Sequence, residues 1–301
     1  MRILVLGGTG YLGRHVTEDL RALPGAQILA AGRSLAAGFR VNLATDRPEA
    51  LTKTLTAAAP DVVVNCAGAT GGNPVTLAEV NARGPAVLCA ALREAAPTAR
   101  LVHLGSAAEY GPGTPDVPVA EAAPACPVTP YGATKLAGTV AVTSAALDAV
   151  VLRVGNPVGP GAPAANLPGR MASLLRSAGP EPDAVLQLGD LSAYRDFVDV
   201  RDLARAVALT VTAPGHLPSV LNISGGTAVA VRELVHGLAR RAGFRGRLQE
   251  STGGSARSAR VSWQCSDITA AERALGWRPE HDLDDALDAL WAVTARSGRL
   301  P

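Results

Sequence analysis

A glycine-rich turn close to the N-terminus limits what this chain can fold into more than any other feature. The segment Gly-Gly-Thr-Gly-Tyr-Leu-Gly, residues 7–13, follows an apolar run at residues 3–6 and precedes a stretch of helical character at residues 14–21. Its spacing satisfies Gly-x-Gly-x-x-Gly. Glycines in such a turn let backbone amides approach a pyrophosphate at the positive end of the helix. The order of strand, turn and helix therefore favours a dinucleotide site of the Rossmann type over a glycine-rich turn without a ligand.

The first half of the chain alternates short β-branched runs with runs rich in Ala and Leu. This alternation predicts an α/β fold, a doubly wound parallel sheet with helices on both faces. The predicted strands are residues 3–6, 27–31, 61–65, 101–104 and 149–154, and the predicted helices are residues 14–21, 51–58, 77–96 and 131–147.

Residues 155–163 are rich in Gly and Pro, which is typical of a loop that leaves the sheet. We therefore expect residues 1–160 to form an NAD(P)-binding Rossmann domain, with residues 193–222 returning to it. Residues 161–301 should then form mainly a smaller C-terminal substrate-binding lobe. Two further helical patterns, residues 231–242 and 283–294, lie in that part of the chain.

The charge balance argues against several kinds of partner. The chain has 28 basic and 26 acidic residues and a formal net charge of +2, without a basic block, so neither nucleic acid nor an anionic membrane is expected. The N-terminus shows no targeting segment and no apolar stretch reaches membrane-spanning length, so we expect a cytoplasmic protein. The four cysteines form no Cys-x-x-Cys pair and the five histidines show no ligand spacing, so no metal site is expected.

Tyr131 and Lys135 lie four residues apart, one helical turn, at the start of a predicted helix. Thr129 suits the N-cap position and Pro130 the first helical position, so both side chains should project from the same helix face. A free tyrosine has a pKa of about 10, and a nearby positive charge lowers the pKa of the phenol. The pair therefore fits a proton donor and its electrostatic tuner, although a half-buried Tyr beside a solvated Lys gives the same pattern.

The position that selects between NAD and NADP carries no acid. About twenty residues past the last glycine, an NAD site usually places Asp or Glu for the ribose hydroxyl. This chain has Gly32, Arg33 and Ser34 there. A guanidinium binds phosphate well, so Arg33 can pair with a 2′-phosphate, assisted by Arg14 beside the glycine turn. We therefore predict a preference for NADP(H), with NAD(H) as the alternative cofactor and an ordinary surface role as the alternative for Arg33.

With the glycine turn and Tyr131-x-x-x-Lys135 in place, the sequence resembles the extended short-chain dehydrogenase/reductases, a family of sugar-nucleotide epimerases, dehydratases and reductases. The resemblance runs almost from end to end, and it implies that Ser106, Tyr131 and Lys135 are the catalytic residues. Together with the turn and the arginines above, it implies cofactor contacts from Gly7, Thr9, Gly10, Tyr11, Leu12, Gly13, Arg14, Arg33, Ser34, Asn42, Leu43, Cys66, Ala67, Gly68, Asn81, Tyr131 and Lys135. It implies substrate contacts from Ser106, Ala107, Glu109, Asn156, Arg195 and Arg257, with Arg195 on the nucleotide diphosphate.

Three positions depart from the family pattern. Asn42 stands where the family usually has an acid beside the adenine, Val154 replaces a proline in the loop that carries Asn156, and Arg260 stands where an acid is usual. Glu109 could face the substrate hydroxyls, but a carboxylate next to a strand end is as often solvated or salt-bridged.

The residues that follow Ser106 narrow the chemistry. The dehydratases of this family carry an Asp-Glu pair directly after the catalytic Ser or Thr, whereas this chain has Ala107 and Ala108. Methyl groups cannot exchange protons, so elimination of water is disfavoured and a carbonyl reductase or a 4-epimerase fits better. The segments at residues 105–111 and 195–202 look most like those of GDP-4-keto-6-deoxymannose reductases.

We therefore expect NADPH-dependent reduction of the 4-keto group of a nucleotide-activated 4-keto-6-deoxyhexose, with Tyr131 as the proton donor. The alternatives are a sugar-nucleotide 4-epimerase and a non-enzymatic NADP(H)-binding regulator built on the same fold. Members of the family commonly dimerise through the two long helices that flank the sheet, here residues 77–96 and 131–147, so a homodimer is expected.

Overall fold

The structure, a computed structural model, describes residues 1–34, 37–251 and 261–296. In this part of the chain the strands are β1 (Arg2–Leu6), β2 (Gln27–Gly32), β3 (Phe39–Arg40), β4 (Val62–Asn65), β5 (Arg100–Ser106), β6 (Ala149–Val154), β7 (Asn156–Val158), β8 (Val185–Leu188), β9 (Tyr194–Asp199), β10 (Val220–Ile223), β11 (Ala228–Ala230) and β12 (Arg247–Glu250). The α-helices are α1 (Tyr11–Arg21), α2 (Pro48–Ala58), α3 (Pro74–Ala78), α4 (Gly84–Ala95), α5 (Pro130–Thr143), α6 (Leu167–Ala178), α7 (Val200–Thr212), α8 (Val231–Arg241), α9 (Thr269–Leu275) and α10 (Leu283–Arg296).

A parallel sheet in the order β10-β6-β5-β4-β1-β2-β3 forms the centre of the molecule. Its central strands are buried on both faces, because alternate side chains pack against helices on opposite sides. On β1, Ile3 and Val5 join the core that contains α1 and α7, whereas Leu4 and Leu6 join the core that contains α2 and α4. The predicted fold class, a doubly wound parallel sheet, is confirmed.

A further hydrophobic core lies outside this sheet. It packs α6, α8 and α10 together through Met171, Leu234 and Leu287, beside the small sheet of β11, β9 and β7. Between α6 and α8 the chain returns to the large sheet, because α7 packs into its core and β10 pairs with β6. The segment that ends at Trp277 also packs on the large-sheet core, and the Trp277 indole donates to the Asp202 carbonyl.

The helix predicted over residues 77–96 is interrupted. α3 ends at Ala78, a π-turn spans Glu79–Arg83, and α4 starts at Gly84. Pro85 has no N–H to donate to the carbonyl of Asn81 four residues earlier, so a continuous α-helix would lose a hydrogen bond there. The wider turn directs the Asn81 amide to the loop after β4, where it donates to Ala69 O and accepts from Ala69 N, each over 2.8 Å.

Other predicted boundaries differ less from the structure. The strand predicted at residues 101–104 extends over Arg100–Ser106, which makes Ser106 the last residue of β5. The helix predicted at residues 131–147 ends at Thr143. Ala146 adopts a left-handed backbone with φ of 53°, which a right-handed helix cannot include.

The close packing of α5 on the π-turn gives a test of the fold. A side chain at Gly138 would collide with the Asn81 carbonyl oxygen, so Gly138→Ala should lower the free energy of unfolding by about 1–3 kcal/mol even though Ala favours helices. Gly237→Ala in α8 is the comparison variant, because within 3 Å its Cβ would meet a side-chain atom of Leu287 and no backbone atom outside its own helix, so its loss of stability should be smaller. Urea denaturation measures both variants, and an unchanged stability of Gly138→Ala would contradict the close contact.

Candidate active site

The carboxyl ends of β1, β4, β5 and β6 open into a cavity of about 1160 Å³. The facing wall comes from β9 and α6 through Arg195, Phe197, Arg170 and Met171. In open α/β sheets the carboxyl ends of the strands are where ligands bind. The cavity therefore lies where the parallel topology places a functional site.

Most of the predicted site residues line this cavity. They are Gly10, Tyr11, Leu12, Gly13, Cys66, Ala67, Gly68, Asn81, Ser106, Ala107, Tyr131, Lys135, Asn156 and Arg195. Outside the lining lie Gly7, Thr9, Arg14, Arg33, Ser34, Asn42, Leu43 and Glu109. Arg257 lies outside the described residues, as does the departing residue Arg260.

The glycine turn after β1 is built as a cradle. Gly7 has a φ of 75°, and a Cβ on it would lie 2.8 Å from the backbone nitrogen of Ala67. A Cβ on Gly13 would collide with the Gly7 carbonyl. Gly10 caps α1 without any side-chain hydrogen bond, so the first amides of this helix are available to an anion. This turn fits the pyrophosphate of a dinucleotide.

The predicted adenine end of the site lies beyond the cavity. Arg33 and Ser34 are exposed after β2. Leu43 is buried, and the Asn42 side chain accepts from Ala44 N over 3.3 Å. Arg83 of the π-turn, which sequence analysis did not identify, holds this loop by donating to carbonyls of residues 43, 44 and 46 over 2.8–3.2 Å. The loop that begins at Asn42, which was predicted to contact the cofactor, is therefore fixed to the π-turn that contains Asn81.

Ser106, Tyr131 and Lys135 all line the cavity. Thr129 caps α5 by accepting from Gly132 N over 3.1 Å, which sets the direction of the first helical turn. A side chain at Gly132 would collide with the Ala108 carbonyl oxygen, so α5 lies directly against the turn that follows Ser106. This helix therefore brings the Lys135 ammonium to the end of β5 and Tyr131, one turn earlier, to the cavity wall.

Lys135 is buried with only 5% of its surface exposed, and its ammonium donates to the Leu104 carbonyl of β5. Burial lowers the pKa of the Lys135 ammonium to about 8, and the Glu109 carboxylate and the Cys66 thiol oppose that shift. His103, also in β5, bonds to the Asn65 amide over 3.1 Å. Burial, and then the Lys135 charge, hold the pKa of His103 well below its ordinary value, so its imidazole is neutral.

Glu109 is not a substrate contact in this geometry, which corrects the sequence-based expectation. Its side chain is fully buried, because the 3₁₀ turn Ala107–Glu109 folds it back onto the end of β5. Oε1 accepts from Ser106 N and Oε2 accepts from Arg153 Nε, each over 2.8 Å. The Ser-x-x-Glu spacing at residues 106–109 is the sequence signature of such a capping box, so the signal was present in the sequence.

Besides the predicted residues, the cavity wall contains a polar residue that no sequence motif indicated. Gln264 lines the cavity and donates from Nε2 to the Ala107 carbonyl over 2.8 Å. Of the predicted substrate contacts, Arg195 is 9% exposed, and its Nη1 donates to the Tyr194 carbonyl over 2.7 Å. The Asn156 amide donates to the Asp196 carbonyl over 3.1 Å. Gln264 reaches the site through the return of the C-terminal segment, which local sequence patterns do not record.

Comparisons with known proteins agree with this site. The sequence profile described as "NAD dependent epimerase/dehydratase family" matches residues 3–224. A dTDP-6-deoxy-L-talose 4-dehydrogenase (NAD(P)(+)) of Kitasatospora kifunensis is 38% identical over 97% of this chain and 95% of its own. A GDP-6-deoxy-D-mannose reductase of Pseudomonas aeruginosa is 28% identical over 79% of each chain. The structure of the UDP-glucose 4-epimerase of Thermus thermophilus in complex with NAD superposes with a TM-score of 0.83, at 25% identity and 100% coverage of both chains.

The chain belongs to the NAD dependent epimerase/dehydratase family, the extended short-chain dehydrogenase/reductases. It is an NAD(P)-dependent oxidoreductase of that type. The predicted family and the predicted enzyme class are both confirmed. Among the described residues, no helix combines the length and the apolar character needed to cross a membrane.

The buried ammonium predicts a pH dependence of stability. The pKa of Lys135 is about 8 in the folded protein, against an ordinary value of 10.5, so between these pH values the unfolded chain holds a proton that the folded chain lacks. The unfolding free energy of the wild type minus that of Lys135→Met should therefore rise from pH 7 to pH 10, by about 2–3 kcal/mol. Urea denaturation of the cofactor-free protein measures this difference. For the exposed Lys53→Met control the difference should stay constant, and a constant difference for Lys135→Met would contradict the assignment.

Proposed function

We propose that this protein uses NADPH to reduce the 4-keto group of a nucleotide-activated 4-keto-6-deoxyhexose. The observation that carries the proposal is the meeting of Ser106, Tyr131 and Lys135 at a cavity whose wall beside Ser106 is formed by Ala107 and Ala108. A hydroxyl, a phenol and an ammonium supply a hydrogen-bond donor, a transferable proton and a positive charge. Reduction of a ketone requires no further proton-transfer group beside it.

The residues around the glycine turn fit the cofactor. The amides at the start of α1 would hold the pyrophosphate, with Gly7 and Gly13 allowing the turn to pack closely on its neighbours, and Cys66, Ala67 and Gly68 would border the ribose and nicotinamide. When bound, the nicotinamide supplies the hydride. Arg33, exposed after β2, is the residue we propose to bind a 2′-phosphate, and such a contact would favour NADPH over NADH.

Ser106, Tyr131 and Lys135 each have a separate role in protonating the keto oxygen. Ser106 donates a hydrogen bond to this oxygen and polarises the carbonyl. Tyr131 transfers its proton to the same oxygen as hydride reaches the carbon, so the ketone becomes a secondary alcohol. Lys135 is mainly protonated at neutral pH, because the pKa of its ammonium is about 8. Its positive charge would stabilise the phenolate that remains once Tyr131 has given up its proton.

The nucleotide is assigned from the relatives and from Arg195. A guanidinium at the cavity wall suits the diphosphate of a nucleotide sugar. The relative that is 38% identical is named for oxidation at C4 of a dTDP-linked 6-deoxysugar, the reverse of the proposed reaction. We therefore favour dTDP over GDP as the nucleotide.

A sugar-nucleotide 4-epimerase is the competing reaction, because it uses the same three residues and adds a rotation of the substrate within the cavity. Incubation with NADPH and a dTDP-4-keto-6-deoxyhexose separates the two. A reductase consumes one NADPH for each ketone reduced. Interconversion of 4-hydroxy epimers with no net consumption of NADPH would identify an epimerase.

Removal of the Tyr131 hydroxyl tests the proton donor. Tyr131→Phe should lower kcat by about 10²–10⁴-fold, because no other group takes over the proton transfer, and should leave the affinity for NADPH within about threefold. Tyr194→Phe is the control, because Tyr194 is 45% exposed and does not line the cavity. Steady-state kinetics and NADPH fluorescence titration measure both effects. Full turnover by Tyr131→Phe would refute the assignment.

Arg33→Ala tests the cofactor preference. Loss of the guanidinium should weaken NADPH binding by about tenfold or more and leave NADH binding unchanged, because only NADPH carries the 2′-phosphate. Arg21→Ala, on the exposed end of α1, is the matched control. Fluorescence titration with both cofactors measures the ratio of affinities, and equal losses for the two cofactors would contradict the role of Arg33.

A further inference from the structure

A buried ion pair lies directly behind the catalytic serine. The Glu109 side chain is fully buried and the Arg153 side chain is 7% exposed, with 2.8 Å between Glu109 Oε2 and Arg153 Nε. Neither residue lines the cavity. The pair therefore does not touch substrate, and the reaction proposed above leaves it without a role.

The Glu109 carboxylate is tied to the backbone at Ser106. Oε1 accepts from Ser106 N over 2.8 Å, and the Ser106 hydroxyl oxygen accepts from Ala108 N over 3.2 Å, so each end of the 3₁₀ turn holds the other. Gly105 leaves the necessary space, because a Cβ there would lie 2.9 Å from Glu109 Oε1 and 2.8 Å from Val151 Cγ1. Movement of this carboxylate would move the amide and hydroxyl of Ser106.

Arg153 is held in turn by groups on its other sides. Its guanidinium carbon lies 4.5 Å from the centre of the Tyr110 ring, and its Nη1 donates to the Glu121 carbonyl over 3.4 Å. The Tyr110 hydroxyl donates to Asn222 Oδ1 over 2.8 Å. The ion pair is thus fixed by packing, hydrogen bonds and a cation–π contact.

The same carboxylate acts on the charge of Lys135. The Lys135 ammonium donates to the Leu104 carbonyl, two residues before Ser106, and the Glu109 charge raises the pKa of Lys135 against the effect of burial. The other titratable groups near the ammonium are Cys66, His103 and, on its own helix, Tyr131. Burial raises the pKa of Cys66 to about 12 and lowers that of His103, so both are neutral near pH 7. Among these groups, Glu109 is therefore the anion that acts on the ammonium.

We propose that the Glu109–Arg153 ion pair is a positioning element that fixes Ser106 and sets the charge state of Lys135. Its catalytic consequence rests on the proposed hydride transfer, whereas its effect on Lys135 does not.

Removing the charge of Glu109 and removing that of Arg153 should shift the pKa of Lys135 in opposite directions. Glu109→Gln keeps an oxygen that can accept from Ser106 N but removes the negative charge, so the pKa of Lys135 should fall by about one unit or more. Arg153→Met removes the opposing positive charge, so the pKa of Lys135 should rise by a similar amount. The double variant E109Q/R153M contains a neutral pair, and Lys135 should return to within about half a unit of the wild type.

The chain offers a direct measurement, because only two of its 28 basic residues are lysines, Lys53 and Lys135. Labelling with [ε-¹³C]lysine gives two signals, and Lys53→Arg assigns them. Titration of the full-length protein from pH 6 to pH 11 by NMR yields the pKa of Lys135 in each variant. Glu250→Gln breaks the half-exposed Arg232–Glu250 pair and serves as the control that should not shift it.

Activity supplies the second readout. The pH at which kcat falls on the alkaline side should follow the pKa of Lys135. It should therefore decrease in Glu109→Gln and increase in Arg153→Met. Glu109→Ala also loses the acceptor for Ser106 N, so its kcat should fall by about tenfold or more with little change in KM. Shifts of the Lys135 pKa in opposite directions in Glu109→Gln and Arg153→Met support the inference. Shifts of the same sign, or none in correctly folded variants, overturn it, and this result is obtained even if no sugar nucleotide is turned over.

Discussion

At the carboxyl end of β5, backbone groups of two residues that are separated by one residue meet charges of opposite sign. The Leu104 carbonyl accepts from the Lys135 ammonium, and the Ser106 amide donates to the Glu109 carboxylate. A buried charge is costly on its own, whereas oriented peptide groups and an opposite charge nearby stabilise it. Ser106 and the charged Lys135 are therefore fixed to the same short stretch of a central strand, and the chemistry proposed for the cavity depends on that stretch.

The fold keeps this strand end rigid and accessible. β5 lies between β4 and β6 in the parallel sheet, with hydrophobic cores on both faces. α5 approaches it closely because Gly132 and Gly138 have no side chains to separate it from the turn after β5 and from the π-turn. The smaller core of α6, α8 and α10 then supplies the opposite wall of the cavity. Close packing thus determines the distance between the reacting groups and the wall that faces them.

Sequence patterns predicted the large features, because they depend on local periodicity and on parallel topology. Alternating strands and helices gave the fold class, which is confirmed. One helical turn predicted that Tyr131 and Lys135 would project from the same helix face, and the family resemblance implied that Ser106 acts with them; all three line one cavity. The prediction that Glu109 contacts substrate was wrong. A capping box turns the Glu109 side chain back onto the end of β5 instead of into the cavity. Gln264 was missed because it arrives through a distant return of the chain. The preference for NADP(H), the homodimer and the cytoplasmic location stay predictions.

The most direct test of the proposed reaction follows the hydride itself. NADPH deuterated at the transferable position of C4 is incubated with the protein and a dTDP-4-keto-6-deoxyhexose, and the product is examined by NMR and mass spectrometry. Direct reduction predicts one deuterium at sugar C4 for each NADPH oxidised. Product that carries no deuterium at C4, or sugar converted without oxidation of NADPH, would contradict it.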